Sequence, residues 1–264
     1  MAETTSEDVL GLFCTTESTR RRFDDWCVDP RRSEVVPMVM AHRTRVLYDL
    51  TEADISHVCQ NTEHALGEVR RQVGESVPEI VDWHPNFAFT HTFHICVERL
   101  GCVPTYQRFR EFSFHDPDGR NMLGDPAMKL VRDLVTREKY TEDRVRAAIR
   151  WRVGNAYYGF LREVYAFAHL RLRGVDLRFH PLADALFRVD AWTGRRALSL
   201  RVGNKKFRQG MNAGRKTPAE QLLADILPPL RFDTIELAAA TRFGVVHVPS
   251  AGQLDEAAAR LLAG

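Results

Sequence analysis

Residues 175–202 read VDLRFHPLADALFRVDAWTGRRALSLRV, and this stretch decides the fold. Apolar and polar residues alternate over 175–180 and 197–202, and 186–192 is similar, which predicts three β-strands. Thr193-Gly194 is typical of a tight turn that joins the second strand to the third. A helical pattern from Tyr157 to Arg173 precedes them, with Gly174 as its stop. The stretch therefore predicts a helix followed by a three-stranded meander.

The pattern continues with a helix from Pro218 to Leu227, capped by Thr217, and a strand from Gly244 to Val248. A last helix is predicted from Gln253 to Leu262. The order over residues 151–264 is therefore αβββαβα, which we interpret as an α/β domain of its own.

Residues 1–150 are mostly helical in pattern, so the fold class is α+β, with a helical domain at 1–150 and the α/β domain at 151–264. Thr51 and Asp54 are spaced as a capping box. Helices are predicted from Asp125 to about Lys139 and from a cap at Thr141 to about Val153. Gly154 is expected to end or bend the second of these.

Composition excludes disorder and a membrane span. The chain has 264 residues, 44% hydrophobic and 27% charged, with a net charge of +2, and none of its apolar runs approaches the roughly 20 residues that a span needs. The five cysteines form no CxxC pair, and the acidic first eight residues do not resemble a signal peptide, so we expect reduced thiols. These observations predict a cytoplasmic protein without a membrane partner.

The charge is unevenly distributed, because residues 195–216 carry eight cations and no acidic residue. Glycines and asparagines make the second half of this stretch loop-like, so that amides and cationic side chains can both reach phosphate oxygens. The phosphate-binding candidates are Arg195, Arg196, Lys205, Lys206, Arg208, Arg215 and Lys216. The alternative interpretation is a solvated loop whose charges are paired elsewhere.

Residues 93–110, FHICVERLGCVPTYQRFR, predict a helix, a glycine turn and a second helix capped by Thr105. Polar and basic residues early in a second helix are typical of insertion into the major groove, and here they are Gln107, Arg108 and Arg110. Such hairpins also occur in plain helical bundles. His91, His94, Cys96 and Cys102 have the residue types that bind zinc, but their spacing favours ordinary histidines and buried thiols.

The order of the C-terminal elements resembles that of the PD-(D/E)XK restriction-endonuclease-like superfamily. The resemblance implies a carboxylate on the leading helix, here Glu163, and an acid on the second strand, here Asp190, which bind Mg²⁺ for phosphodiester hydrolysis. Asp184 is an alternative first acid, and shares a face with Asp190 if one strand spans both. Metal ligands and catalytic residues would then be Glu163, Asp184 and Asp190.

The third strand departs from the family motif, because Ser199 stands where an acid is expected and Arg201 where lysine is expected. Arginine can hold a phosphate but cannot act as a base near neutral pH, so the catalytic role expected of Arg201 is phosphate binding. The sequence thus predicts a Mg²⁺-dependent endonuclease that binds double-stranded DNA, as a homodimer or in a larger complex. The alternatives are a catalytically inactive protein of the same fold, in a DNA-binding or structural role, and a module that binds an acidic protein.

Overall fold

A computed structural model describes residues 2–137, 139–202, 218–238, 241–243 and 246–263, with the backbone alone at 201–202, 237 and 241–243. The chain is α+β, with helices dominant and small sheets. The helices are α1 (Ser6–Phe13), α2 (Glu17–Val28), α3 (Val35–Ala41), α4 (Val46–Asp49), α5 (Glu52–Asn61), α6 (Arg71–Gly74), α7 (Pro78–Val81), α8 (Phe89–Leu100), α9 (Tyr106–His115), α10 (Pro117–Gly119), α11 (Asp125–Thr136), α12 (Glu142–Leu172), α13 (Pro181–Phe187), α14 (Ala219–Leu222) and α15 (Ala251–Leu262). The strands are β1 (Thr4–Thr5), β2 (Arg43–Thr44), β3 (Ala191–Thr193), β4 (Arg196–Val202), β5 (Arg231–Leu237), β6 (Thr241–Phe243) and β7 (Val246–Val248).

Helix α12 is the central element, and it packs against α5, α6, α11, α15 and strand β4. Residues 164–170 are all buried, so this part of the helix is covered on every side. Gly154 does not interrupt it: a Cβ at this position would lie 2.8 Å from Leu66 Cδ2, so glycine here permits close packing. The predicted break at Gly154 is therefore wrong, and one helix replaces two.

The main sheet has the order β3-β4-β5, in which β3 is antiparallel to β4 and β4 is parallel to β5. The hairpin turns at Gly194, whose φ of 53° is in the left-handed region that glycine favours. The first predicted strand forms a single antiparallel bridge, in which Arg178 and Trp192 exchange both backbone hydrogen bonds. The described elements thus run helix, extended bridge, hairpin and parallel strand.

Two strand predictions need correction. Residues 181–187 form α13 rather than the start of a strand, because Pro181 lies in the first turn and the His180 ring accepts a hydrogen bond from the Leu182 N–H at 3.1 Å. Strand β5 was not predicted, because the consecutive polar residues Asp233 and Thr234 break the alternation of RFDTIEL. The predicted strand at 244–248 instead contributes β7, which pairs with β6 in a separate hairpin.

One hydrophobic cluster contains residues from both ends of the chain, Val9 and Leu261 among them. Within it the Phe13 ring lies 5.4 Å from the Trp192 ring and 5.7 Å from the Phe187 ring, so α1 packs on α13 and β3. The division predicted between residues 150 and 151 falls inside α12. The two predicted segments therefore share a core.

Candidate functional site

Asp190 lies immediately before β3 and is bound to β4 through two hydrogen bonds. Its backbone N–H donates to the Leu198 carbonyl at 3.0 Å, and its Oδ2 accepts from the Leu200 N–H at 2.6 Å. The pairing of Ala191 with Leu198 places Asp190 level with Ser199 on the neighbouring strand. The hairpin therefore fixes the position of this carboxyl group.

Glu163 on α12 and Asp184 in the first turn of α13 lie near Asp190. Burial, together with the negative charges of Asp190 and Asp184, raises the pKa of Glu163 well above its usual range. The structure thus brings together the three carboxyl groups that the sequence selected. The arrangement differs from the expected one, in which a single strand would carry both Asp184 and Asp190, because Asp184 lies on a helix.

The chemistry of this carboxylate cluster, Glu163, Asp184 and Asp190, suits Mg²⁺, which prefers oxygen ligands. Its geometry does not complete a site, since among the described residues no group of three or more His, Cys, Asp or Glu side chains is arranged to hold a metal ion. The donor types therefore fit a hard cation, whereas the side-chain positions do not form a ready ligand shell.

The register of β4 and β5 shows what surrounds the expected third-strand motif. Ser199 is half-buried and pairs with Thr234, and the Cα of Arg201 pairs with that of Glu236. The Arg201 side chain lies outside the described part of the structure. Ser199 thus occupies the strand position level with Asp190, where the resemblance implies an acid.

Two of the predicted phosphate-binding residues make internal contacts. Arg196 Nε donates to Asp233 Oδ2 at 3.0 Å and its Nη1 donates to the Leu261 carbonyl at 2.8 Å, while Arg195 Nη2 donates to the Pro228 carbonyl. These contacts stabilise the packing around β4, β5 and α15, and the phosphate-binding role of the two arginines stays a prediction. The other candidates are not among the described residues: Lys205, Lys206, Arg208, Arg215 and Lys216.

The predicted helix, glycine turn and helix are observed as α8 and α9, with Gly101 in the left-handed conformation and Thr105 as the cap. The predicted base-reading side chains, however, have internal partners. Gln107 Oε1 accepts from the Glu63 N–H at 3.1 Å, and Arg110 pairs with the Glu63 carboxylate at 2.7 Å. Arg108 Nη1 donates to Cys102 Sγ at 3.3 Å. These exposed side chains thus have partners within the chain, and their role in reading bases stays a prediction.

His91 and His94 are buried on α8 near two histidines that the sequence did not associate with them. The His42 ring centroid lies 5.1 Å from that of His180 and 6.0 Å from that of His94. Burial lowers the pKa of His42 to about 2, of His94 to about 3, and of His91 and His180 to about 4. These four form a neutral buried histidine cluster, and no local spacing in the sequence indicates it.

Comparisons of the chain with protein-family models, curated proteins and solved structures found no match. In the described part of the chain, no helix combines the length and the apolar character that crossing a bilayer requires.

Proposed function

We propose that this chain is a nucleic-acid-binding protein with a nuclease-like site, at which Glu163, Asp184 and Asp190 bind Mg²⁺ for phosphodiester hydrolysis. The observation that carries the proposal is the meeting of these three carboxyl groups, which come from three separate elements, beside a mixed sheet. Holding three half-buried, mutually repelling acids close together is costly unless a cation or a proton compensates their charge. The raised pKa of Glu163 is the sign of that cost.

The order of elements supports the same proposal. A long helix carrying Glu163 precedes the Arg178–Trp192 bridge, the β3–β4 hairpin and the parallel strand β5. The resemblance to the restriction-endonuclease-like superfamily rests on an αβββαβ order, which these elements follow in part: α13 lies between the bridge and the hairpin, and the parallel strand is β5 rather than the strand predicted at 244–248. Fold order alone does not define an activity, so the carboxylate cluster remains the argument for function.

Two of the three carboxyl groups would have distinct roles. Asp190 would be oriented by its hydrogen bond from Leu200, whereas Glu163 would give up its proton when a cation is bound. Mg²⁺, when bound, supplies charge stabilisation to a phosphodiester and activates water. Cations of the stretch from Arg201 to Lys216 would contact the nucleic acid backbone, as the sequence predicts.

A catalytically inactive nuclease-like protein is the second candidate, and Ser199 favours it. This residue lies level with Asp190, where the resemblance implies a third ligand, and a hydroxyl is a poor substitute for a carboxylate in binding Mg²⁺. Such a protein would bind DNA through its basic stretch and serve as a subunit of a larger complex.

Cleavage of labelled duplex DNA in Mg²⁺ and in EDTA tests the proposal, with Asp190→Asn as the variant and the exposed Glu17→Gln as the charge-matched control. We expect cleavage in Mg²⁺ that Asp190→Asn abolishes and Glu17→Gln retains. DNA binding without cleavage would support the inactive alternative. The absence of DNA binding, or equal cleavage by both variants, would contradict the proposal.

A further inference from the structure

A cavity of about 380 Å³ lies between α9, α11 and the first half of α12, away from the carboxylate cluster. Its walls are mainly apolar, with Phe109, Ala127, Val131 and Ile149 among them. This volume is within the range of small-molecule sites, which are mostly apolar with a few polar groups. The cavity therefore has the size and surface of a ligand site.

The wall between α9 and α11 is a π-helical turn, Arg120–Gly124, which leads directly into α11. A Cβ on Gly124 would lie 2.1 Å from the Ser113 carbonyl oxygen, so glycine lets this turn approach α9 closely. Turns of this kind are rare and occur often at functional sites. The turn thus forms part of the cavity wall and gives it a feature that is typical of binding sites.

The polar side of the cavity is cationic. Its described lining includes Arg110, Arg146 and Arg150 and contains no Asp or Glu. Arg110 is paired with Glu63 and Arg146 with Glu142, at 2.7 and 2.6 Å. Arg150, in contrast, donates from Nε to the Ala65 carbonyl at 3.0 Å and from Nη2 to the His64 carbonyl at 3.1 Å.

Carbonyl oxygens orient the Arg150 guanidinium without cancelling its charge. Tyr106 also lines the cavity and is 3% exposed. Burial raises the pKa of Tyr106 to about 12, so the hydroxyl is a neutral donor at neutral pH. A fixed cation and a hydroxyl donor thus line an otherwise apolar cavity.

We propose that this cavity binds a small amphiphilic anion, with its carboxylate held by Arg150 and Tyr106 and its apolar body packed against Phe109, Val131 and Ile149. Arg150 keeps its two Nη1 hydrogens and one Nη2 hydrogen for this carboxylate, because Nε and the other Nη2 hydrogen donate to the Ala65 and His64 carbonyls. Arg150 and Glu163 are separated by 13 residues of α12, or about 20 Å along the helix, so the cavity is distinct from the carboxylate cluster. The inference does not depend on the proposed nuclease function.

Calorimetric titration of the full chain with decanoate tests this inference. Ala127→Met extends a side chain into the cavity, Arg150→Gln removes the cation, and Arg144→Gln is a control on the same helix that leaves the lining unchanged. We expect decanoate binding that Ala127→Met abolishes, that Arg150→Gln weakens at least tenfold, and that Arg144→Gln preserves. Neutral 1-decanol is expected to bind at least tenfold more weakly than decanoate.

Thermal melts of all three variants report folding separately from binding. The proposal is overturned if the native chain does not bind decanoate, or if folded Ala127→Met binds it with unchanged affinity. It is equally overturned if 1-decanol binds as tightly as decanoate, or if Arg150→Gln leaves the affinity unaltered.

Discussion

Oδ2 of Asp190 accepts a hydrogen bond from the Leu200 backbone N–H at 2.6 Å. This bond fixes one carboxyl group of the carboxylate cluster to strand β4 of the β3–β4 hairpin. This link joins the stability of the sheet to the proposed site, because β4 positions the carboxyl group that we propose as a cation ligand.

We expect Asp190→Asn and Asp190→Ala to separate these two roles. The Asn carbonyl oxygen can still accept from Leu200, so Asp190→Asn should leave the free energy of unfolding nearly unchanged while removing the charge. Asp190→Ala leaves that N–H without its partner and should cost about 1 to 3 kcal/mol. Urea unfolding measures both values, and equal destabilisation would show that the hydrogen bond contributes little.

Glu163 should make the metal-free protein less stable as pH rises. Its pKa in the folded chain is raised, so the folded state keeps a proton that the unfolded state loses above its own pKa of about 4.3. The stabilisation is complete below that value and declines until pH reaches the folded pKa. Glu163→Gln should therefore raise Tm at pH 8 by roughly 2 to 4 °C, the change expected for about 1 kcal/mol in a chain of this size.

Mg²⁺ should reverse the order of thermal stability, so that the native chain has a higher Tm than Glu163→Gln. The cation favours the ionised carboxyl, so it should raise the Tm of the native chain and leave that of Glu163→Gln almost unchanged. Differential scanning fluorimetry with and without 10 mM Mg²⁺, a concentration of the order commonly used for weak sites, provides the measurement. A native Tm that is insensitive to Mg²⁺ would contradict metal binding at the carboxylate cluster.

The buried histidine cluster, His42, His91, His94 and His180, should make the fold sensitive to acid. All four have lowered pKa values, so the unfolded state binds more protons than the folded state below about pH 6.5. Stability should fall steeply between about pH 6.5 and 4. His94→Leu should reduce the dependence of the free energy of unfolding on pH by up to one proton, as measured by urea unfolding at a series of pH values.

Arg196 should contribute to stability more than to DNA binding. Arg196→Ala removes an ion pair with Asp233 and a hydrogen bond to Leu261, at a cost of about 1 to 3 kcal/mol. Affinity for duplex DNA should change less than threefold. Lys205→Ala, in contrast, should weaken DNA binding if the basic stretch contacts phosphates. It should also reduce the magnitude of the slope of log K against log salt concentration by about 1.

The sequence was sufficient to predict those helix ends and turns that are determined by a cap or a glycine nearby in the chain. The Thr51 and Asp54 capping box and the turn at Gly194 are confirmed, and the last helix, predicted from Gln253, begins at Ala251. The helix, turn and helix around Gly101 were also predicted. In each case a cap or a glycine acts on residues within a few positions, so the sequence alone carries the information.

Only the tertiary structure decided how distant elements meet. The continuity of α12 depends on Gly154 packing against Ala65 and Leu66, nearly 90 residues earlier, and β5 forms by pairing with β4 across a long connection. The internal partners of Arg196 and Arg110 likewise come from other elements. Sequence chemistry selected Glu163, Asp184 and Asp190, but their convergence and the raised pKa of Glu163 arise only from packing, because burial and charge proximity are properties of the folded chain.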